Sequence, residues 1–248
     1  MTKIGIYDSG CGGFSVLNHL LKSGYTGNIY YYGDTENAPW GPKTKQQLKH
    51  NLNKIAKWFK QNKITTIISG CNTTLGVFKD ELTTIFNNKV INVLENTQEN
   101  YNENEYSVLL TENSFKHNLF SKLIKHRTIQ EVPCPKLAKC IEMNNINESI
   151  QLAKKYIAEC DYPNIILGCT HYPLIIHHLR SIFPEKTFIN PTQFFDFDSP
   201  LSTGKPSISF KITGDTELFN KLIQNNLSIN EYLINGKKYK QSVNLVNQ

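Results

Sequence analysis

Two stretches of this 248-residue sequence place the same reactive group in the same setting. "TTIISGCNTT" at 65–74 and "NIILGCTHYP" at 164–173 each run from apolar residues into a glycine and then a cysteine, Cys71 and Cys169. A free thiol titrates near pH 8.5, so thiol and thiolate are both accessible after modest tuning. Two such groups on opposite sides of one carbon suit proton removal from a stereocentre and proton return to its other face. That chemistry needs one thiolate and one thiol at a time, with the roles exchanged in the reverse direction. Asp8 ends the first apolar run and could accept or relay a proton from Cys71. His171, two residues past Cys169, could do the same on the other side. Taken singly, a strand-end cysteine is more often a small buried hydrophobe. Its repetition in matching contexts favours the chemical reading.

The elements that must hold these residues are short apolar strands alternating with helices. "KIGIYDSG", "NIYYYGD", "ITTIISG" and "VINVLE" read as strands. Between them lie a helix at "FSVLNHLLKSG", with Gly24 as its cap, and an amphipathic helix at "TKQQLKHNLNKIAKWFKQNK". The second carries Leu48, Leu52, Ile55 and Phe59 on one stripe. Such alternation implies a parallel sheet covered on both faces. The pattern restarts after Glu95 with "SVLLTEN", a helix in "FKHNLFSKLIKH", a short strand at "IQEVPCP", a helix around 148–160, "NIILGC" and "TFINPT". The turn-rich "NPTQFFDFDSPLSTGKP" reads as a crossing back, and "SISFKITGD" with "TELFNKLIQNNL" adds a strand and helix to the first unit. The reading is two similar α/β units, 1–94 plus 206–248 and 95–205. Ligands of open α/β sheets bind at the carboxyl ends of strands, where both cysteines fall and where each is expected to begin a helix.

The totals exclude several classes. Lysine and arginine exceed acidic residues by 27 − 21 = 6, but they are scattered, which argues against nucleic-acid binding and suits a small anionic substrate. No apolar stretch approaches the ~18–20 residues of a membrane span. A strand-like run starts within three residues of Met1, which predicts no signal peptide and therefore six reduced cysteines. No CxxC occurs, and Cys169 with His171 is not a usual ligand spacing, although a Cys/His set drawn from distant loops stays open. The glycines of "DSGCGG" make only a weak phosphate loop, and no GxxxxGK[ST] follows.

"IGIYDSGCGGFSVL", "YYGDTENAPWGPKT", "SGCNTT" and "ILGCTHYPL", in this order, resemble the glutamate racemases of the cofactor-independent aspartate/glutamate racemase superfamily. Weaker likeness through "LLTENSFK", "VPCPKLAKCIE" and "FKITGDTELF" extends over nearly the whole chain. The resemblance implies two open parallel-sheet α/β domains related by pseudo-twofold symmetry, with the active site in the cleft between them. It implies interconversion of L- and D-glutamate in the cytoplasm, D-glutamate feeding peptidoglycan and hence cell-wall biogenesis and cell shape, with no PLP, metal or other cofactor. By position, Cys71 and Cys169 correspond to the acid/base thiols, Asp8 and His171 to their assistants, and Glu142 to an acidic residue near the second thiol. Ser9, Trp40, Gly41, Asn72, Thr73, Ser114 and Thr170 fall at substrate-contacting positions. The chain departs from the family pattern at Cys11 (usually aliphatic), Trp40 (usually Tyr), Gly70 (more often Ala), Asn96 (commonly Pro) and Lys139 (normally apolar). These departures leave open an aspartate or other small amino-acid racemase, or a low-activity paralogue with a regulatory binding role. No membrane partner is expected, and a homodimer is one assembly open to it.

Overall fold

A computed structural model describes residues 3–95, 97–197 and 204–241. Asn96 and residues 198–203 of the expected crossing lie outside the described residues. The strands are β1 (Lys3–Asp8), β2 (Asn28–Gly33), β3 (Thr66–Ser69), β4 (Val90–Asn92), β5 (Glu105–Leu110), β6 (Thr128–Pro133), β7 (Asn164–Leu167), β8 (Thr187–Ile189), β9 (Ser207–Ile212), β10 (Glu231–Ile234) and β11 (Lys237–Lys240).

They form a seven-stranded sheet, β11-β10-β9-β2-β1-β3-β4, and a four-stranded sheet, β6-β5-β7-β8. All pairings are parallel except the β10–β11 hairpin. The order β2-β1-β3-β4 in the first sheet recurs as β6-β5-β7-β8 in the second, which is the expected pseudo-symmetry. It extends to single hydrogen bonds. Gly70 N–H donates to the Tyr7 carbonyl at 2.9 Å, and Gly168 N–H donates to the Leu109 carbonyl at 2.7 Å. Each bond fixes a glycine–cysteine turn beside the strand next to it.

The helical stripe Leu48, Leu52, Ile55 and Phe59 is fully buried on the helix Lys45–Gln61, which starts at a Thr44–Gln47 capping box. Gly24, at φ +83°, follows the helix Phe14–Lys22.

Two expectations differ from the structure, and one element was not expected. The helix expected in "FKHNLFSKLIKH" is two short helices, Glu112–Lys116 and Leu119–Leu123, because Asn118 takes a left-handed conformation, φ +48°. Cys71 does precede a helix, Asn72–Phe78, but Cys169 leads into a turn and the 3-10 segment Tyr172–Ile175, and the α-helix Ile176–Ile182 follows only then. Pro173 sits in the first turn of that segment, where its missing N–H costs no helical bond. The hairpin β10–β11 was not anticipated, although Asn235-Gly236 at its turn, with φ +48° and +84°, is a strong local hairpin signal.

One buried contact ties this frame to the loop after β1: the Tyr31 hydroxyl donates to the Gly10 carbonyl. Tyr31→Phe would leave that carbonyl unpaired, and we expect a loss of about 1–2 kcal/mol in urea unfolding. An unchanged midpoint would show that the contact does not hold the loop.

Candidate active site

The carboxyl ends of β1 and β3 face those of β5 and β7 across one small cavity. Ser9, Pro39, Trp40, Gly41, Cys71, Asn72 and Thr73 line it from one side, and Thr111, Ala138, Cys169, Thr170 and His171 from the other. Its free volume is about 10 Å³, room for a water at most. The cleft is therefore closed.

Hydrogen bonds crossing the seam hold it shut. The Asn72 amide donates to the Gly168 carbonyl at 3.0 Å, and the Thr73 and Thr111 hydroxyls lie 3.0 Å apart. The Thr170 hydroxyl donates to Asp8 Oδ2 at 3.0 Å, and Cys11 N–H donates to Glu142 Oε2 at 2.7 Å. Asn113 adds a donor to the Lys43 carbonyl at 2.8 Å.

Around Cys71, Asp8 is the carboxylate whose charge bears on the thiol. It ends β1, one position beyond the Tyr7–Ser69 pairing, and so lies beside the Gly70–Cys71 turn. Its Oδ1 also accepts from Gly10 N–H at 2.9 Å. Burial raises the Asp8 pKa, opposed by the charge of His171 and by the Gly10 and Thr170 donors. The Cys71 thiol is pushed up to about 12, first by burial, then by the charges of Asp8 and Cys169, while the Thr73 and Thr74 amides work the other way. At neutral pH this thiol therefore rests protonated in the closed cleft.

The Cys169 side is built differently. The residue in β5 that corresponds to Asp8 is Leu110, so this half of the site has no carboxylate at the strand end. Instead the short helix Leu137–Glu142 brings Glu142 behind His171. Glu142 Oε2 lies 2.8 Å from His171 Nε2, and His171 Nδ1 lies 3.8 Å from Cys169 Sγ. With Glu142 as acceptor, Nε2 carries the proton that faces it, and Nδ1 is left to exchange a proton with Cys169. Burial opposes the imidazolium, but hydrogen bonds with Cys11, Cys169 and Glu142 outweigh it and raise the His171 pKa well above its ordinary value.

This apposition requires glycine at two positions. A Cβ on Gly10 would overlap the Glu142 carboxylate, and one on Gly12 would overlap the His171 ring and the Thr170 hydroxyl.

Of the residues singled out from the sequence, Ser9, Trp40, Gly41, Cys71, Asn72, Thr73, Cys169, Thr170 and His171 line the cavity. Asp8, Glu142 and Ser114 stand behind that wall. Ser114 reaches it only through Thr111, whose hydroxyl is 3.0 Å away. Thr111, Pro39 and Ala138 also line it and were not singled out; only the Thr111 hydroxyl, directly after a predicted strand, offered a signal. Asp34 was likewise missed. Buried at the end of β2, it accepts from Trp40 Nε1 at 3.0 Å, Asn37 at 2.9 Å and Thr213 at 3.1 Å. The indole thus turns its polar edge to Asp34 and its ring to the cavity. Asn72 Oδ1 is buried with no hydrogen-bond partner among the described residues, leaving an acceptor on the cavity wall.

No protein-family profile matches the chain. A glutamate racemase of Prochlorococcus marinus is 32% identical over 205 residues, covering 79% of this chain and 77% of its own length. One from Fusobacterium nucleatum is 33% identical over 187 residues, 70% of each. Among solved structures, a glutamate racemase isoform from Bacillus anthracis superposes with a TM-score of 0.78 at 21% identity, covering 92% of this chain and 96% of that one. The Francisella tularensis glutamate racemase, solved in complex with D-glutamate, gives 0.74 at 22% identity, covering 94% and 96%. The structural likenesses carry the fold, the sequence identities carry the kinship, and together they establish that the chain belongs to the glutamate racemase family.

Proposed function

We propose that this protein interconverts L- and D-glutamate by proton transfer at the α-carbon between Cys71 and Cys169, supplying D-glutamate for peptidoglycan in a bacterial cytoplasm. The observation that supports this reading is that both thiols line one cavity from the ends of equivalent strands, β3 and β7. In this reading the chain divides into the units 1–94 plus 206–248 and 95–205, with substrate held between them.

Glutamate cannot enter the closed cavity, so the seam opens first and re-forms around it. Ser9, Asn72, Thr73 and Thr170 then offer donors to carboxylate oxygens, and the unpartnered Asn72 Oδ1 suits the α-ammonium group. Trp40 and Gly41 wall the side chain. Ser114 acts through Thr111, and the backing carboxylates Asp8 and Glu142 act through the groups in front of them.

In one direction the Cys71 thiolate, its proton having passed toward Asp8, removes the α-proton. The carbanion then takes a proton from the Cys169 thiol on its other face, and His171 resupplies Cys169. In the reverse direction Cys169 becomes the base, with His171 Nδ1 accepting its proton. Every step is a proton transfer, and the product differs from the substrate only in configuration.

Incubation of each glutamate enantiomer in D2O is the direct test. Deuterium should appear at Cα from both, and its absence from both would sink the reading. Cys71→Ser and Cys169→Ser should each lower turnover by about a thousandfold or more, with proton abstraction lost from opposite enantiomers. Aspartate turned over faster than glutamate would transfer the reading to that substrate.

The high Cys71 pKa sets the sign of a pH effect. The thiolate fraction of a thiol titrating near 12 grows about tenfold per pH unit through neutrality. The ultraviolet thiolate absorbance of Cys71, read as the parent protein minus Cys71→Ser, should therefore stay near zero up to about pH 9. A thiolate signal that saturates between about pH 7 and about pH 9 would contradict the burial argument.

Asp34→Ala releases the Trp40 indole. It should raise KM for glutamate several-fold with a smaller change in kcat, read from initial rates. Equal loss in both would mean that Asp34 supports the fold rather than the side-chain wall.

A further inference from the structure

One buried nucleophile transfers no proton in this scheme. Cys11 is fully buried in the loop after β1, and its backbone N–H donates to Glu142. Its side chain also belongs to a cluster. The Cys11 sulfur, an imidazole nitrogen of His171 and a carboxylate oxygen of Glu142 all lie within 4.8 Å of one another. These residues come from three distant stretches of sequence, so no ligand spacing could reveal them. They also come from both sides of the seam: Cys11 follows β1, while Glu142 and His171 follow β6 and β7.

We propose that Cys11, His171 and Glu142 form a binding site for Zn2+, assembled only when the cleft closes, and that the bound ion arrests the enzyme. A thiolate, an imidazole and a carboxylate are the donor types zinc accepts, with bonds of about 2.0–2.3 Å, whereas Mg2+ and Ca2+ prefer oxygen alone. Ligands of a tetrahedral zinc stand about 3.3–3.8 Å apart by those bond lengths. The observed cluster therefore needs shifts of roughly an ångström or less, within reach of side-chain rotation. Three protein ligands leave a fourth position for water.

Binding exchanges protons for the ion: the Cys11 thiol and the metal-facing nitrogen of His171 release theirs to solvent. No oxidant or other reactant is needed. If the ion takes Nε2, the remaining imidazole proton sits on Nδ1, which can then accept nothing from Cys169. If it takes Nδ1, it occupies the nitrogen that faces Cys169. Either way the His171 proton relay stops, and a metal bridge across the seam holds the cleft shut.

The inhibition rests on the racemase reading, whereas the binding does not, so the two are measured separately. Titration of the reduced, full-length protein with Co2+ should give a sulfur-to-metal charge-transfer band saturating at one ion per chain and displaced by Zn2+. Cys11→Val and Cys11→Ser keep the backbone donor to Glu142. Both should be folded by circular dichroism, should lose the band, and should weaken Zn2+ binding at least about a hundredfold. Zn2+ should raise the melting temperature of the parent protein and not of these variants. Where racemisation is measurable, Zn2+ should inhibit the parent, with recovery in EDTA, and leave Cys11→Val close to its metal-free rate. A band that survives in Cys11→Val but vanishes in Cys71→Ser would place the ion on the cleft thiols and overturn the proposal. So would the absence of any band at a tenfold molar excess of Co2+.

Discussion

Two carboxylates are buried along a seam between two sheets, and the arrangement of the site follows from keeping them satisfied. An ionised carboxyl group out of water is tolerated only where donors converge on it. Asp8 obtains donors from its own loop, Gly10 N–H and the Ser9 hydroxyl, and one, Thr170, from the opposite side. Glu142 obtains Cys11 N–H from across the seam and His171 from its own side. Each carboxylate is thus completed by the other half of the molecule. Closure of the cleft and alignment of the groups beside the thiols are consequently one event.

The repeated strand order places the two cysteines as counterparts, but the groups beside them are not counterparts. Asp8 continues β1 directly, and Leu110 holds its place in β5. On the second side an imidazole stands beside the thiol, oriented by a carboxylate from a separate helix. A carboxylate and an imidazole differ in charge when protonated, so the two thiols meet unlike electrostatic settings even though their geometry is matched. A racemase must handle mirror-image substrates, yet the protein around them is not symmetric at the level of charge.

Closure also limits what the closed form can do. With space for about one water, the cavity excludes solvent from the thiols and raises the cost of charging them. In the proposed reaction the same seam releases Asn72 from Gly168 and Thr73 from Thr111 before substrate enters. Side-chain hydrogen bonds of this kind contribute modestly each in exchange with water, so a handful can hold a gate and still let it open.

Much was legible from residue order alone. Strand–helix alternation, the stripe on Lys45–Gln61 and the paired glycine–cysteine turns depend on neighbours close in the chain, and local periodicity reports them. The repeated Cys71 and Cys169 contexts, with Asp8 and His171 beside them, were visible for the same reason. What the sequence alone could not determine was long-range. The break at Asn118 and the 3-10 start after Cys169 are backbone choices that the apolar pattern leaves undecided. That Glu142 stands behind His171, that Asp34 fixes the Trp40 wall, and that the Cys11 sulfur joins both His171 and Glu142 depend on segments far apart in the chain meeting at one seam. Only the packing of one sheet's loops against the other's brings such groups within bonding distance, because side-chain chemistry specifies what can bond and tertiary structure specifies which partner is there.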